Sequence, residues 1–240
     1  MTVRWLTAFL DRPEPSFDDS VAFWTAATGS TLSPARGEHD EFATLIATDG
    51  DAYLRMQRVA SGPGGSHLDL HTGDVVALAA DAEGLGAVVV QRLDDVVVLR
   101  SPAGLLFCAV RHHGEAVRPQ PVSSGGRART LVDQVCIDIP PRDYERECSF
   151  WAALTGWEHR QAALPEYSYL VRPEPIAMRI LFQRLDEGGP GVHLDIACDD
   201  VDASTADHER LGATVHARHT WWTTLHDPAG LPYCLIRRKP

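Results

Sequence analysis

The sequence predicts an α+β fold of two tandem domains, each containing two modules with the order strand, helix, strand, strand, strand. Three observations lead to this prediction. Residues 57–111 and 183–237 are identical at about 25 of 55 positions without a gap. A polar segment separates the two copies, and the same order of strand and helix patterns recurs within each copy. An internal duplication accounts for all three.

The composition excludes several classes of protein. The 240 residues are 44% hydrophobic, and no apolar run approaches the ~20 residues of a membrane-spanning helix. The N-terminus shows no secretory signal. A net charge of −11 repels phosphate backbones, so we do not expect nucleic acid as a partner. The short apolar runs likewise argue against a membrane partner. Five cysteines, an odd number spread along the chain, predict reduced thiols and a cytoplasmic location.

The repeat also locates the domain boundary. Upstream of residue 30 the copies agree at a shift of 127 instead of 126, as Phe23-Trp24 and Phe150-Trp151 show. Residues 114–128 are rich in proline, serine and glycine and lack apolar periodicity, which is typical of a linker. We therefore predict one domain at residues 1–113 and a second at residues 129–240.

Periodicity and turn signals predict the elements of the first copy in order. The first strand ends at Asp11-Arg12-Pro13, a helix runs from Ser16 to Gly29, and Asp49-Gly50 marks a hairpin turn. Asp74 caps a second helix that ends near Gly84. The predicted strands are 3–10, 42–48, 52–59, 67–71, 87–92, 95–100 and 105–111.

An ordered set of short motifs accompanies these elements in both copies. It comprises Asp-x-Pro, Phe-Trp, Thr-Gly, Gln-Arg, His-Leu-Asp, Leu-Gly-Ala and a Pro-x-Gly turn before a cysteine. The second copy is the more complete, since Asp227 and Phe182 stand where the first has Ser101 and Met56. The set resembles the vicinal oxygen chelate superfamily, and most closely its glyoxalase-like branch. That superfamily includes glyoxalase I, bleomycin-resistance proteins and extradiol dioxygenases. The resemblance implies two glyoxalase-like domains, each with a half-open curled sheet around a cleft.

The resemblance also implies where a pocket lies. In the metalloenzymes of the superfamily, His and Glu ligands come from the first and last strands of each module. The equivalent positions here are Thr7, Gln57, His67 and Cys108 in the first copy, and Gln134, Gln183, His193 and Cys234 in the second. None is a carboxylate, whereas magnesium, manganese and iron sites require carboxylate oxygens. A divalent metal is thus possible but disfavoured, and the cofactor stays unknown.

Two further residues bear on a metal site in the first copy. One face of the strand carries the side chains of His67, Asp69 and His71. Two histidines and one carboxylate are a known ligand set for iron, so these residues are a candidate metal site. Three alternate residues of a flat strand do not easily surround one ion, and the second copy has Ala197 in place of His71. We therefore interpret His71 as part of a polar strand patch.

The candidate catalytic residues are His67 and His193. Each faces the same side of its strand as Asp69 or Asp195, an arrangement that suits a general base as well as a structural hydrogen bond. Cys108 and Cys234 have two interpretations, as inert core residues or as nucleophiles paired with the histidines.

Aromatic residues are concentrated in the second copy. Tyr167 and Tyr169 share one face of a strand, whereas Trp221 and Trp222 point to opposite faces, so that only one of them, taken as Trp222, lines the cleft. A cleft with aromatic walls and a few polar groups suits a flat organic ligand.

Three hypotheses follow for the function. The first is a protein that binds a small organic molecule in a cleft without the usual His/Glu metal site, as a monomer or homodimer. The alternative is a lyase, isomerase or dioxygenase of the same superfamily that uses a pocket histidine as base or metal ligand. In the third, one copy has lost its pocket and serves as a scaffold, and the weaker first-copy pattern favours retention of the pocket in the second copy.

Overall fold

The computed structural model describes residues 2–123 and 128–240, so residues 124–127 of the predicted linker lie outside the described residues. The predicted module order is confirmed four times. The first copy contains β1 (Trp5–Pro13), α1 (Phe17–Thr28), β2 (Thr31–Leu32), β3 (Phe42–Ile46), β4 (Leu54–Val59), β5 (Gly65–Thr72), α2 (Val75–Gly84), β6 (Val88–Arg92), β7 (Val96–Arg100) and β8 (Leu106–Arg111). The second contains β9 (Thr130–Ile139), α3 (Tyr144–Thr155), β10 (His159–Gln161), β11 (Tyr167–Leu170), β12 (Arg179–Arg184), β13 (Gly191–Cys198), α4 (Val201–Arg210), β14 (Thr214–Arg218), β15 (Trp222–His226) and β16 (Pro232–Arg237).

Among the described residues the strands form two eight-stranded mixed sheets, one from each copy. Their orders are β2-β3-β4-β1-β5-β8-β7-β6 and β10-β11-β12-β9-β13-β16-β15-β14. The pairs β5–β8 and β13–β16 are parallel, whereas the hairpins β3–β4 and β7–β8 are antiparallel. Both sheets are open at their edges, and the α+β prediction is confirmed.

The first strand and its neighbours differ from the prediction in two details. β1 continues through Asp11-Arg12-Pro13 because the Arg12 side chain is buried and donates a hydrogen bond to the carbonyl of Gly65 at 2.6 Å. Pro13 is the last residue of the strand, where a missing N–H interrupts no ladder. β2 was not placed by the sequence, since its two residues are too few to show periodicity.

The predicted cap of α2 is confirmed. The Asp74 side chain accepts a hydrogen bond from the backbone N–H of Ala77 at 3.0 Å, and Asp200 makes the equivalent bond to Ala203 at 2.9 Å. At α1 the side chain of Ser16 instead bonds back to the carbonyl of Pro13. No helix among the described residues has the length and apolar character needed to cross a bilayer.

By packing, the chain forms two compact units that combine segments of both copies. The first packing unit comprises Met1–Ala8, His67–Ala116 and Val135–Val192. The second packing unit comprises Phe9–Ser66, Val117–Gln134 and His193–Pro240. Each therefore contains one module, or most of one, from each copy.

Each packing unit has an aromatic core of the same design. In the first, the Phe107 ring lies 5.0 Å from Trp151 of α3, and in the second, the Tyr233 ring lies 5.2 Å from Trp24 of α1. All four side chains are buried. Burying rings of this size contributes a large share of the hydrophobic stabilisation.

Candidate functional site

Three polar side chains of the second copy converge on strands β13 and β16. His193 and Asp195 alternate on β13 and share a face, and parallel pairing places Cys234 of β16 opposite Asp195. The Nε2 atom of His193 lies 3.4 Å from Asp195 Oδ1 and 3.8 Å from Cys234 Sγ. All three residues are buried. An imidazole nitrogen, a carboxylate oxygen and a sulfur thus face one another inside the second packing unit.

A chain of hydrogen bonds holds the carboxylate of this cluster. Gln134 of β9 donates from Nε2 to Asp195 Oδ2 at 2.5 Å, and Arg238 donates from Nη1 to Gln134 Oε1 at 3.2 Å. Arg238 also forms an ion pair with the buried carboxylate of Asp133. Buried carboxylates require such partners because desolvation of an unpaired charge is costly. These hydrogen bonds fix the orientation of the Asp195 carboxylate toward His193.

The first copy repeats the cluster on β5 and β8. Cys108 stands opposite Asp69 in the parallel register, and His67 Nε2 lies 3.8 Å from Asp69 Oδ1. In both copies the ligand atoms of the three residues lie within 4.8 Å of one another. We call His67–Asp69–Cys108 and His193–Asp195–Cys234 the paired clusters. Thr7, at the position of Gln134, contacts His71 instead.

The structure gives His71 specific partners beyond the predicted polar strand patch. Its side chain is 1% exposed, and Thr7 Oγ1 lies 2.8 Å from its Nε2 atom. Its Nδ1 atom faces Glu115, which also contacts His112. The sequence missed this arrangement because His112 and Glu115 follow β8 and come close to His71 only through the parallel pairing of β5 and β8. The available signals were two differences between the copies, Ala197 in place of His71 and Arg238 in place of His112.

The other predicted site residues lie on other strands. Gln183 of β12 is half-buried, with Cys136 Sγ 3.9 Å from its Oε1 atom, and stands opposite Tyr167 in the β11–β12 register. Tyr167 and Tyr169 are half-buried on the same face of β11, and Gln57 is half-buried on β4 opposite Phe42.

Trp221 and Trp222 differ in exposure, as expected for adjacent residues that point to opposite faces. Trp221 is 58% exposed, whereas Trp222 is half-buried and stacks on His219 with ring centroids 4.4 Å apart. A stacked histidine partly occupies the face that the Trp222 ring offers to a ligand.

The donor atoms of the paired clusters determine which metal they suit. Each cluster has a single histidine, so neither supplies the two-histidine, one-carboxylate set of non-haem iron. One nitrogen, one oxygen and one sulfur donor form a mixed set that zinc accepts, with a fourth position open. The carboxylate comes from Asp69 or Asp195. Neither is among the family-derived positions, by which we mean the positions equivalent to the metal ligands of the superfamily.

A separate cavity lies in the second packing unit. Its volume is about 170 Å³, and its lining includes Ala27, Leu45, Tyr53, Pro121, Val132 and Ile196. The predicted site residues, all of which the structure describes, are not part of this lining. Burial raises the pKa of the Tyr53 hydroxyl, so this side chain is neutral at physiological pH.

Comparisons with known proteins agree with this architecture. The model of the glyoxalase-like domain family matches residues 7–110 and again residues 134–236. No curated protein matches the sequence.

Solved structures with the same fold include several dioxygenases. The chain is similar to 2,2',3-trihydroxybiphenyl 1,2-dioxygenase from Sphingomonas wittichii strain RW1, with 16% identity, 98% of this chain and 90% of that chain covered, and a TM-score of 0.65. The 2,3-dioxygenase LapB from Pseudomonas sp. KL28 gives 12% identity, coverage of 96% and 90%, and a TM-score of 0.65. A variant of homoprotocatechuate 2,3-dioxygenase from B. fuscum gives 12% identity, coverage of 98% and 71%, and a TM-score of 0.67.

At these identities the structural neighbours establish the fold and leave the reaction open. The family match covers most of both copies and coincides with the two eight-stranded sheets. The chain therefore belongs to the glyoxalase-like domain family, with the domain present twice in tandem.

Proposed function

We propose that this protein binds a small organic molecule and that the paired clusters anchor a polar group of that molecule. The observation that carries the proposal is the recurrence of the same His–Asp–Cys cluster in both copies, at the same strand positions, with His67 half-buried and the other five residues buried. The domains proposed for this role are residues 1–113 and 129–240. Five free cysteines, all buried, support a reducing and hence cytoplasmic environment.

The distances within the clusters support a binding role. The 3.4 Å separation between His193 Nε2 and Asp195 Oδ1 is longer than a good hydrogen bond between nitrogen and oxygen, which lies near 2.7–3.2 Å. A ligand hydroxyl or carbonyl would bring stronger hydrogen bonds to these atoms in a poorly solvated place, where such bonds contribute most. The second copy is the better candidate because Gln134 holds Asp195 in position.

Aromatic and amide groups supply further proposed contacts. Tyr167, Tyr169 and Gln183 form one set on β11 and β12 of the first packing unit, and Trp222 lies on β15 of the second. Aromatic faces of this kind favour a planar ligand. The net charge of −11 favours a ligand that is neutral or cationic.

Native mass spectrometry of the full chain as purified tests the proposal. We expect a bound organic mass that is lost on denaturation and is absent from His193→Ala. A thermal-shift screen with planar aromatic compounds is the second measurement, with His39→Ala as an exposed-histidine control that keeps the response. The proposal fails if no organic compound binds, or if compounds bind equally to wild type, His193→Ala and His67→Ala.

A second candidate is an enzyme that uses a cluster histidine as base or metal ligand. It is favoured by the convergence of nitrogen, oxygen and sulfur donors within 4.8 Å. His193, Asp195 and Cys234 would hold a zinc-type ion, which supplies Lewis-acid polarisation of a bound carbonyl. Without the ion, the side chains themselves would hold or accept a proton at His193 Nε2, with Asp195 orienting the ring.

Metal analysis of protein purified without added metal separates the two candidates. One equivalent of zinc, nickel, manganese or iron that disappears in Cys234→Ala favours the enzyme. A metal-free protein that binds an organic ligand favours the binding function. In either case, His193→Ala must leave the melting temperature nearly unchanged for a functional rather than structural role.

A further inference from the structure

A second type of polar cluster lies where the first copy joins the following segment. His71 lies near the end of β5, His112 directly follows β8, and Glu115 comes three residues later. The Nδ1 atom of His71 is 3.5 Å from Glu115 Oε1, and the Nδ1 atom of His112 is 3.1 Å from Glu115 Oε2. The ligand atoms of all three residues lie within 4.8 Å of one another. We call these residues the junction cluster.

Backbone hydrogen bonds hold the junction cluster in place. The N–H of His112 donates to the carbonyl of Thr72 at 2.9 Å, which continues the alignment of β5 and β8 beyond the end of β8. The N–H of His113 donates to Glu115 Oε2 at 3.0 Å. The segment after β8 therefore folds back so that its imidazole and carboxylate face the His71 ring.

A further contact orients the buried histidine. Thr7 Oγ1 lies 2.8 Å from His71 Nε2, so Nδ1 of the same ring is turned toward Glu115. Metal-binding histidines commonly use one ring nitrogen for the ion and the other for an orienting hydrogen bond. The side chains of His112 and Glu115 are 13% and 17% exposed, which gives access from solvent to a cluster whose third member is buried.

We propose that His71, His112 and Glu115 bind a divalent first-row transition-metal ion of the zinc class through two imidazole nitrogens and one carboxylate. Bonds of 2.0–2.2 Å in a tetrahedral site place neighbouring ligand atoms roughly 3–3.6 Å apart. The distance from His71 Nδ1 to Glu115 Oε1 is 3.5 Å and that from His112 Nδ1 to Glu115 Oε2 is 3.1 Å, so each nitrogen lies within this range of a different oxygen of the carboxylate. Three protein ligands leave one coordination position for water or another small ligand.

This site is separate from the paired clusters, and of the family-derived positions it involves only Thr7, as a contact of His71 and not as a ligand. It uses none of Gln57, His67 or Cys108, and it has no counterpart in the second copy, where Ala197 and Arg238 replace His71 and His112. The Arg238 guanidinium forms an ion pair there with the carboxylate of Asp133. Beside β8 a metal ion would thus neutralise Glu115, much as a fixed guanidinium neutralises Asp133 beside β16.

Titration of the full-length, chelator-treated protein with Zn²⁺ and Co²⁺ tests the proposal. In calorimetry, His112→Ala and Glu115→Gln are each expected to bind one equivalent of Zn²⁺ fewer than the wild type, or to bind it at least about tenfold more weakly. His113→Ala is the matched control, because His113 is an exposed neighbour that contributes only its backbone N–H to the cluster. Glu115→Gln preserves side-chain shape and guards against a folding defect.

The cobalt spectrum identifies which site binds the ion. The equivalent lost in His112→Ala should lack a thiolate-to-cobalt charge-transfer band, because the junction cluster has no cysteine. If the lost equivalent shows that band, the ion belongs to the paired clusters and the proposal is wrong. It is also wrong if the wild type binds neither ion, or if His112→Ala and Glu115→Gln bind as His113→Ala does. The cluster is then an ion pair of histidines with Glu115. Organic ligand binding is measured separately and does not depend on this outcome.

Discussion

The Asp227 carboxylate accepts a hydrogen bond from the indole N–H of Trp24 at 2.9 Å, although 203 residues separate the two. The same oxygen accepts a bond from Arg12 Nε at 2.7 Å. The other oxygen accepts bonds from the backbone N–H groups of Ala229 and Leu231. One buried carboxylate therefore ties together β1, α1 and the turn before β16 in the second packing unit.

In the first packing unit, the indole of Trp151 donates its hydrogen bond to a carboxylate on its own helix and not to one on the turn. That turn carries Ser101 in place of Asp227, and the carboxylate comes instead from Glu147 on α3. Glu147 accepts bonds from the indole of Trp151 at 2.8 Å and from the backbone N–H of Ala103 at 2.7 Å. The first-copy equivalent of Glu147 is Ser20. The two copies have thus exchanged the positions of a carboxylate and a serine while keeping the same contact.

Asp227→Asn is predicted to destabilise the protein more than Glu147→Gln. The first substitution removes the carboxylate partner of the buried Arg12 guanidinium, which costs about 3–5 kcal/mol in the free energy of unfolding. Burial raises the pKa of Glu147 and thereby disfavours its charged form, so its neutral amide analogue should cost less than about 2 kcal/mol. Urea unfolding of both variants measures the difference, and equal midpoints would contradict the prediction.

Stability is predicted to fall with decreasing pH because of His208. Burial lowers the pKa of this histidine to about 4 from an ordinary value of 6.5. Between these values the unfolded chain binds a proton that the folded chain does not, so the free energy of unfolding declines as pH falls from 6.5 to 4. The decline attributable to this residue is roughly 3 kcal/mol and ends below the folded pKa.

His208→Gln tests this pH dependence. Glutamine keeps a polar group near the Tyr233 hydroxyl, which His208 Nδ1 contacts at 2.8 Å. Urea unfolding should show a smaller decrease in the free energy of unfolding between neutral and acidic pH for this variant than for the wild type. The exposed-histidine variant His113→Gln serves as control and should follow the wild type. Identical pH dependences of His208→Gln and wild type would refute the assignment.

Alkylation should modify the cluster cysteines before the other buried ones. Burial raises the pKa of Cys148 to about 12 and that of Cys198 to about 11, and the thiolate is the reactive form. Cys108 and Cys234 are 9% and 7% exposed, compared with 1% for Cys148. A time course of iodoacetamide labelling followed by peptide mass spectrometry gives the order. Modification of Cys148 ahead of Cys234 would overturn it, whereas urea-unfolded protein should react at all sites alike.

Gly50→Ala is predicted to be more destabilising than Gly62→Ala. Both glycines have left-handed backbone angles, with φ of +85° and +90°, so alanine costs about 1–2 kcal/mol at either position. At Gly50 the added Cβ would also lie 2.6 Å from the backbone nitrogen of Pro119, whereas at Gly62 nothing lies within 4 Å. Thermal unfolding should therefore show a larger decrease for Gly50→Ala. Equal decreases would mean that the 117–121 segment moves away freely.

The sequence alone determined the fold and part of the candidate site. Repetition at a fixed shift revealed the duplication, and local periodicity placed the strands and helices because these signals lie within a few residues. Strand alternation placed His193 and Asp195 on one face, and the family resemblance indicated Cys234 nearby. What local signals could not provide was the length of β1, where a buried Arg12 overrides the Asp-x-Pro turn signal.

Only the tertiary structure decided which distant groups meet. Asp227 with Trp24, Arg238 with Gln134, and His71 with Glu115 are contacts between residues 44 to 203 positions apart. No periodic pattern encodes such pairs, since each depends on which strands pair and on how helices pack against them. The same applies to the exchange of carboxylate and serine between the copies, because either arrangement satisfies the indole. Buried polar groups need a partner, and the fold determines which residue supplies it.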